Sequence, residues 1–208
     1  MLGVIFFVLQ NHMEKRLGPS SWGRVVSLAN LPPTAYSPVA EYPDSEATAL
    51  IAAASQLAGK QLGEFLEEFG EALAPELLAM YPGLVQPEWK TLDLVVNAEE
   101  VIHSVVRRRN PLAKPPVLRC ARYSTDEVRL VYASPRKLCQ IAKGIIRGVA
   151  RHYHEEVSII DESCMNDGDP FCAIQIKLVA TNVASVGPRG SVGAEKPVVP
   201  AARAQEQA

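Results

Sequence analysis

His103 lies in an apolar stretch, Leu92-Asp93-Leu94-Val95-Val96-Asn97-Ala98-Glu99-Glu100-Val101-Ile102-His103-Ser104-Val105-Val106. Further along, Tyr132-Ala133-Ser134-Pro135-Arg136 alternates two hydroxyls and a guanidinium. The first group offers one neutral imidazole to a metal. The second offers a fork of donors to carboxylates, the guanidinium bidentately and the hydroxyls singly. Alternation at 132, 134 and 136 puts the three on one side of an extended segment. An axial nitrogen together with carboxylate donors suits haem, an iron macrocycle with two propionates. Either element alone is weak. A lone histidine on an apolar helix face is commonly a hydrogen-bonded core residue, and Tyr-x-Ser-x-Arg by itself is unspecific.

The elements that would position these groups fall into two runs. Hydrophobic periodicity predicts helices over residues 2–17, stopped at Gly18, and 22–29, capped by Ser20 or Ser21. Further helices are predicted over 44–57, stopped near Gly59, then 61–69, 71–80 and 88–108, the last carrying His103. After Asn110-Pro111 the pattern changes. Residues 117–123 and 128–133 read as strands around a 124–126 hairpin loop, 135–152 as a helix, and 156–160 and 172–178 as two more strands. Gly168 supplies the turn between the last two. The expected fold is α+β: a helical part over about 1–110, then a sheet part over about 111–180 with a four-stranded antiparallel sheet, and haem between them. Residues 181–208, rich in Gly, Pro, Ala and charge, read as a disordered tail.

The 208 residues and 48% hydrophobic content can supply a core, and a net charge of −2 gives no nucleic-acid signature. Arg107-Arg108-Arg109 reads as a solvent-facing run complementing a helix C-terminus. The apolar opening Met1-Leu2-Gly3-Val4-Ile5-Phe6-Phe7-Val8-Leu9 lacks a basic leader and is too short for a membrane span, which predicts a cytoplasmic protein with a buried first helix. There is no Gly-rich phosphate loop and no metal-hydrolase histidine pair, so an enzyme is not expected.

The ordered set of Met1-Leu2-Gly3-Val4-Ile5, Tyr42-Pro43-Asp44, Phe69-Gly70, His103 in its helix, Pro115-Pro116, Tyr132-Ala133-Ser134-Pro135-Arg136 and Gly144-Ile145-Ile146-Arg147-Gly148 resembles the H-NOX family, haem nitric oxide/oxygen-binding domains. The resemblance implies haem b with His103 on the iron and Tyr132, Ser134 and Arg136 on the propionates. It also implies that Pro115 or Pro116 presses on the macrocycle. In oxygen-binding members a tyrosine donates to bound O₂; the matching position here is Ile141, and the supporting polar positions match Leu9 and Leu73. Ile5 and Ile145 are expected wall residues. An apolar distal pocket would favour nitric oxide, with CO a weaker ligand. Nitric oxide would release His103 and shift the helices against the sheet. Since the chain holds no kinase or cyclase segment, the output is expected to pass to a separate histidine kinase or diguanylate cyclase.

Cys139, Cys164 and Cys172 form a second constellation, with Cys120 apart from it. They could be packed apolar side chains. They also resemble the zinc-bearing subset of the family, in which three cysteines and a histidine hold the metal and can be oxidised. Asp161 stands at that histidine position, so a zinc site here would be Cys₃Asp, or would draw on His152 or His154. A zinc or thiol-redox switch, with haem secondary or absent, is thus the alternative function.

Overall fold

A computed structural model describes residues 1–111 and 113–179; the tail expected over 181–208 lies outside the described residues. The helical part holds α1 (Gly3–Leu17), α2 (Ser21–Leu28), α3 (Asp44–Ala58) and α4 (Leu62–Met80). Their apolar faces meet in one core that includes Phe6, Met13, Leu50, Phe65 and Phe69. Each such side chain contributes roughly 1.5–3 kcal/mol when fully buried. The two helices expected over 61–69 and 71–80 are one, α4, which runs through Gly70 and Pro75. Gly70 is used for close packing against α7 (Cys139–His152), where a Cβ would meet the Ile141 carbonyl at 2.3 Å. Neither Ser20 nor Ser21 caps α2 through its side chain; the Ser21 hydroxyl is buried instead.

The histidine helix also departs from expectation. It begins at Thr91 as α5 (Thr91–Asn97), widens into a π turn over Ala98–His103, and closes as α6 (Ser104–Arg109). In the π turn the Ser104 N–H donates to the Glu99 carbonyl. Such insertions recur at functional sites.

The sheet is four-stranded and antiparallel in the order β1-β2-β4-β3: β1 (Val117–Arg122), β2 (Glu127–Ala133), β3 (Val157–Ser163) and β4 (Cys172–Leu178). Its inner face carries Val128, Leu130, Tyr132, Ile174 and Ile176 against α7 and α5. Gly168, at φ 104°, makes the β3–β4 connection where the sequence placed it. α7 starts at Cys139 rather than at residue 135, because the chain first turns. The Lys137 N–H donates to the Ser134 carbonyl at 3.1 Å, and Lys137 takes φ 52°. The helix then packs on both halves, with Ile141 in the helical core and Cys139, Ile146 and Ala150 in the sheet core. No helix among the described residues is long and apolar enough to cross a membrane.

Candidate functional site

Between the helical part and the sheet lies a cavity of about 300 Å³, at the lower end of small-molecule sites. His103 lines it from the π turn, Tyr132 from the end of β2, and Ser134 and Arg136 from the turn beyond. Pro115 and Pro116, just before β1, both reach its wall. So do Ile5 of α1 and Ile141 and Ile145 of α7. Leu9 and Leu73 do not: both are fully buried in the helical core, behind the wall. Ala74 and Leu78 of α4 line the cavity instead.

The propionate motif is not one extended segment. Only Tyr132 is in the strand, paired with Leu118 and Cys172. The Arg136 N–H donates to the Ser134 hydroxyl at 3.3 Å, which folds the turn. The Arg136 Nε donates to Asp44 Oδ2 at 2.8 Å, and its Nη1 to the Lys114 carbonyl. Asp44 also receives the N-terminal ammonium at 3.0 Å. Against the opposing effect of burial, Arg136 and that ammonium hold the Asp44 carboxyl below its ordinary range. A guanidinium keeps donors to spare after one carboxylate, so Arg136 can serve a second.

Burial pushes the His103 imidazole below the usual histidine range, although the Glu99 carboxylate and the Pro116 carbonyl pull upward. Burial thus favours the neutral ring, the form that ligates a metal. Nδ1 lies 3.0 Å from Glu99 Oε2. Burial works against the Glu99 charge, but Arg107, His103 and the Leu118 N–H hold its carboxyl low. Glu99 and Arg107 were missed from sequence, although their spacing of four from His103 is a readable signal. Arg107 pairs with Glu99 rather than facing water with Arg108 and Arg109.

The three expected cysteines do converge. Their sulfurs all lie within 4.8 Å of one another, with Cys139–Cys164 at 3.6 Å and Cys164–Cys172 at 3.9 Å. All three are buried. Burial and the neighbouring thiols push Cys139 up, and burial does the same to Cys172. Asp161 is not with them: its Oδ2 accepts from Lys143 Nζ at 2.7 Å, and Lys143 also pairs with Glu67 at 3.2 Å. His152 is at the far end of α7, about 20 Å along the helix from Cys139 at 1.5 Å per residue. Asn166 does reach the cluster, with Nδ2 at 3.4 Å from the Cys139 sulfur. Cys120 stands apart on β1, donating to the Val95 carbonyl at 3.3 Å, with its thiol pushed up by burial to about 11.

A family model described as Haem-NO-binding (HNOB) matches residues 2–160. The chain belongs to this H-NOX family. An H-NOX protein from S. oneidensis in the Fe(II)NO ligation state superposes with a TM-score of 0.80 at 26% identity, over 86% of this chain and 99% of that one. The NMR structure of the SO2144 H-NOX domain from Shewanella oneidensis in the Fe(II)CO state gives 0.78 at 25% identity, over 86% and 99%. The Fe(II) unliganded H-NOX protein from K. algicida gives 0.75 at 21% identity, over 86% and 97%, a likeness of fold. No curated protein matches. The family and the cavity agree on chemistry: an apolar chamber, an imidazole and a cluster of groups that can donate to carboxylates fit a haem.

Proposed function

We propose that this H-NOX domain is a sensor of nitric oxide that holds ferrous haem b and signals by conformational change to a separate partner, a histidine kinase or diguanylate cyclase. The observation that carries the reading is the single cavity wall on which His103, the Tyr132–Ser134–Arg136 donors and an aliphatic lining come together. Haem, when bound there, supplies an iron that takes a diatomic gas. His103 would hold that iron through a ring nitrogen. Tyr132, Ser134 and Arg136 would hold its carboxylates, and Pro115 and Pro116 would pack against its ring. Ile5, Ile141 and Ile145 carry no donor, which works against O₂ because its bound form gains from a hydrogen bond. Nitric oxide needs no such donor, and CO is the weaker alternative. If His103 were released, the π turn and β1 could shift relative to α1 and α4, a two-state element that a ligand can bias. The reading supports a binding protein rather than a catalyst. Anaerobically reduced protein should be red, with a Soret band that moves on nitric oxide and is unchanged in air. A stable oxygenated spectrum would overturn the gas assignment.

The cysteine cluster supports a second input at the start of α7, zinc or reversible thiol oxidation. Three buried sulfurs at ligand spacing are the observation. Asp161, engaged by Lys143, would have to leave that ion pair to serve as the fourth ligand. Metal analysis should find about one zinc per chain, lost in Cys164→Ala. Absence of zinc in both proteins leaves thiol oxidation, read by mass spectrometry of the Cys139–Cys164 pair.

A further inference from the structure

We propose that Glu99 is the positioning residue for His103, setting how strongly the imidazole donates to iron. This rests on the haem reading above. The Glu99 carboxylate is anchored at both oxygens by three separate pieces of structure. Oε2 lies 3.0 Å from His103 Nδ1 and accepts the Leu118 N–H of β1 at 3.1 Å. Oε1 accepts from the Arg107 guanidinium. The same residue's carbonyl closes the π turn by accepting the Ser104 N–H. Main chain and side chain of Glu99 therefore both fix the segment that presents His103.

An ionised carboxylate only accepts. Nδ1 accordingly carries the ring proton, and Nε2 keeps its lone pair for a metal in the cavity that His103 lines. Metal-bound histidines commonly donate their second N–H to a carboxylate, a carbonyl or water, and this fixes the ring and raises its basicity. A charged acceptor does so most strongly. Both side chains are largely shielded, at 18% exposed for His103 and 24% for Glu99, so the interaction is not diluted as a surface pair would be. Arg107, at spacing four beyond His103, draws on the same carboxylate and moderates its effect. The two opposed residues make the donor strength adjustable in either direction. The Leu118 contact ties the setting to the sheet, so a displaced His103 would disturb β1 through one side chain.

Resonance Raman spectroscopy of the ferrous protein tests this through the iron–histidine stretch. Glu99→Gln, which keeps the size and an acceptor but not the charge, should lower that frequency, and Glu99→Ala should lower it further. Arg107→Met should raise it, because the carboxylate is then less neutralised. The rate at which nitric oxide displaces His103 should rise about tenfold in Glu99→Gln, in line with the 10–100-fold effects of such outer partners on metal affinity. A frequency unchanged in red Glu99→Gln protein overturns the proposal, as does a fall in both the Glu99 and Arg107 variants, which would mark a purely structural pair. If Glu99→Ala fails to fold, the near-isosteric Gln variant carries the test. Colourless wild-type protein that cannot be reconstituted would instead defeat the haem reading itself.

Discussion

His103→Ala protein is expected to fold but to retain haem on the order of tenfold less well than wild type, or worse, since even an outer partner of a metal-bound histidine is worth 10–100-fold. The fold should survive because the partners that His103 leaves behind remain satisfied. Glu99 keeps Arg107 and the Leu118 N–H. What disappears is the one imidazole on the cavity wall among the described residues, since His12 is packed against Phe65 and Phe69 and His152 sits at the end of α7. The haem-to-protein ratio after reconstitution and gel filtration measures the effect. Added imidazole should restore the ferrous spectrum by occupying the space the side chain leaves. Unchanged haem content and an unchanged Soret band in the variant would remove His103 from its assigned role.

The second large effect concerns stability. Gly144→Ala should cost about 3 kcal/mol or more, at or beyond the upper end of ordinary overpacking. A Cβ there would meet the Glu67 carbonyl oxygen at 2.0 Å and the Gly70 Cα at 2.8 Å. Both are backbone atoms, so no rotamer change relieves the clash and α4 must separate from α7. For a chain of this size each kcal/mol shifts Tm by ~2–4 °C, giving a fall of roughly 6–12 °C by calorimetry. Gly23→Ala is the control with the opposite sign. Gly23 is helical, with nothing within 4 Å of the added Cβ, so the substitution should add roughly 0.5–1 kcal/mol through reduced backbone freedom. An equal, small effect at both positions would show that the helices do not meet at Gly144.

The contrast between these glycines marks what can be read from sequence and what cannot. The strands were legible because alternation is local: Val128, Leu130 and Tyr132 face inward at every second position. The four-strand count and the antiparallel arrangement followed from the turn signals, and the observed sheet matches. Gly70 falls between two helices expected from the sequence, because a contact between two helices leaves no trace in either one's own periodicity. The π turn was equally hidden, since one inserted residue barely alters an apolar pattern already dense with valine and isoleucine. In the site, His103 and the Tyr132–Arg136 donors could be singled out by residue type. Leu9 and Leu73 could not be sorted from the true wall, because aliphatic side chains on α1 and α4 look alike whether they face the core or the cavity. Asp161 could not be placed without knowing that Lys143 reaches it from α7.

That lysine has a mechanical consequence. Lys143 is almost fully buried, and its ammonium is held from one side by Glu67 of α4 and from the other by Asp161 of β3. Sliding α7 by a single turn, about 5.4 Å, would strand a buried cation away from both anions, a penalty of several kcal/mol. The ammonium is thus a detent: it opposes axial sliding of α7 between helix and sheet. Any rearrangement of α4, α7 and β3 that keeps this cation paired must therefore hold Glu67 and Asp161 within reach of the same ammonium.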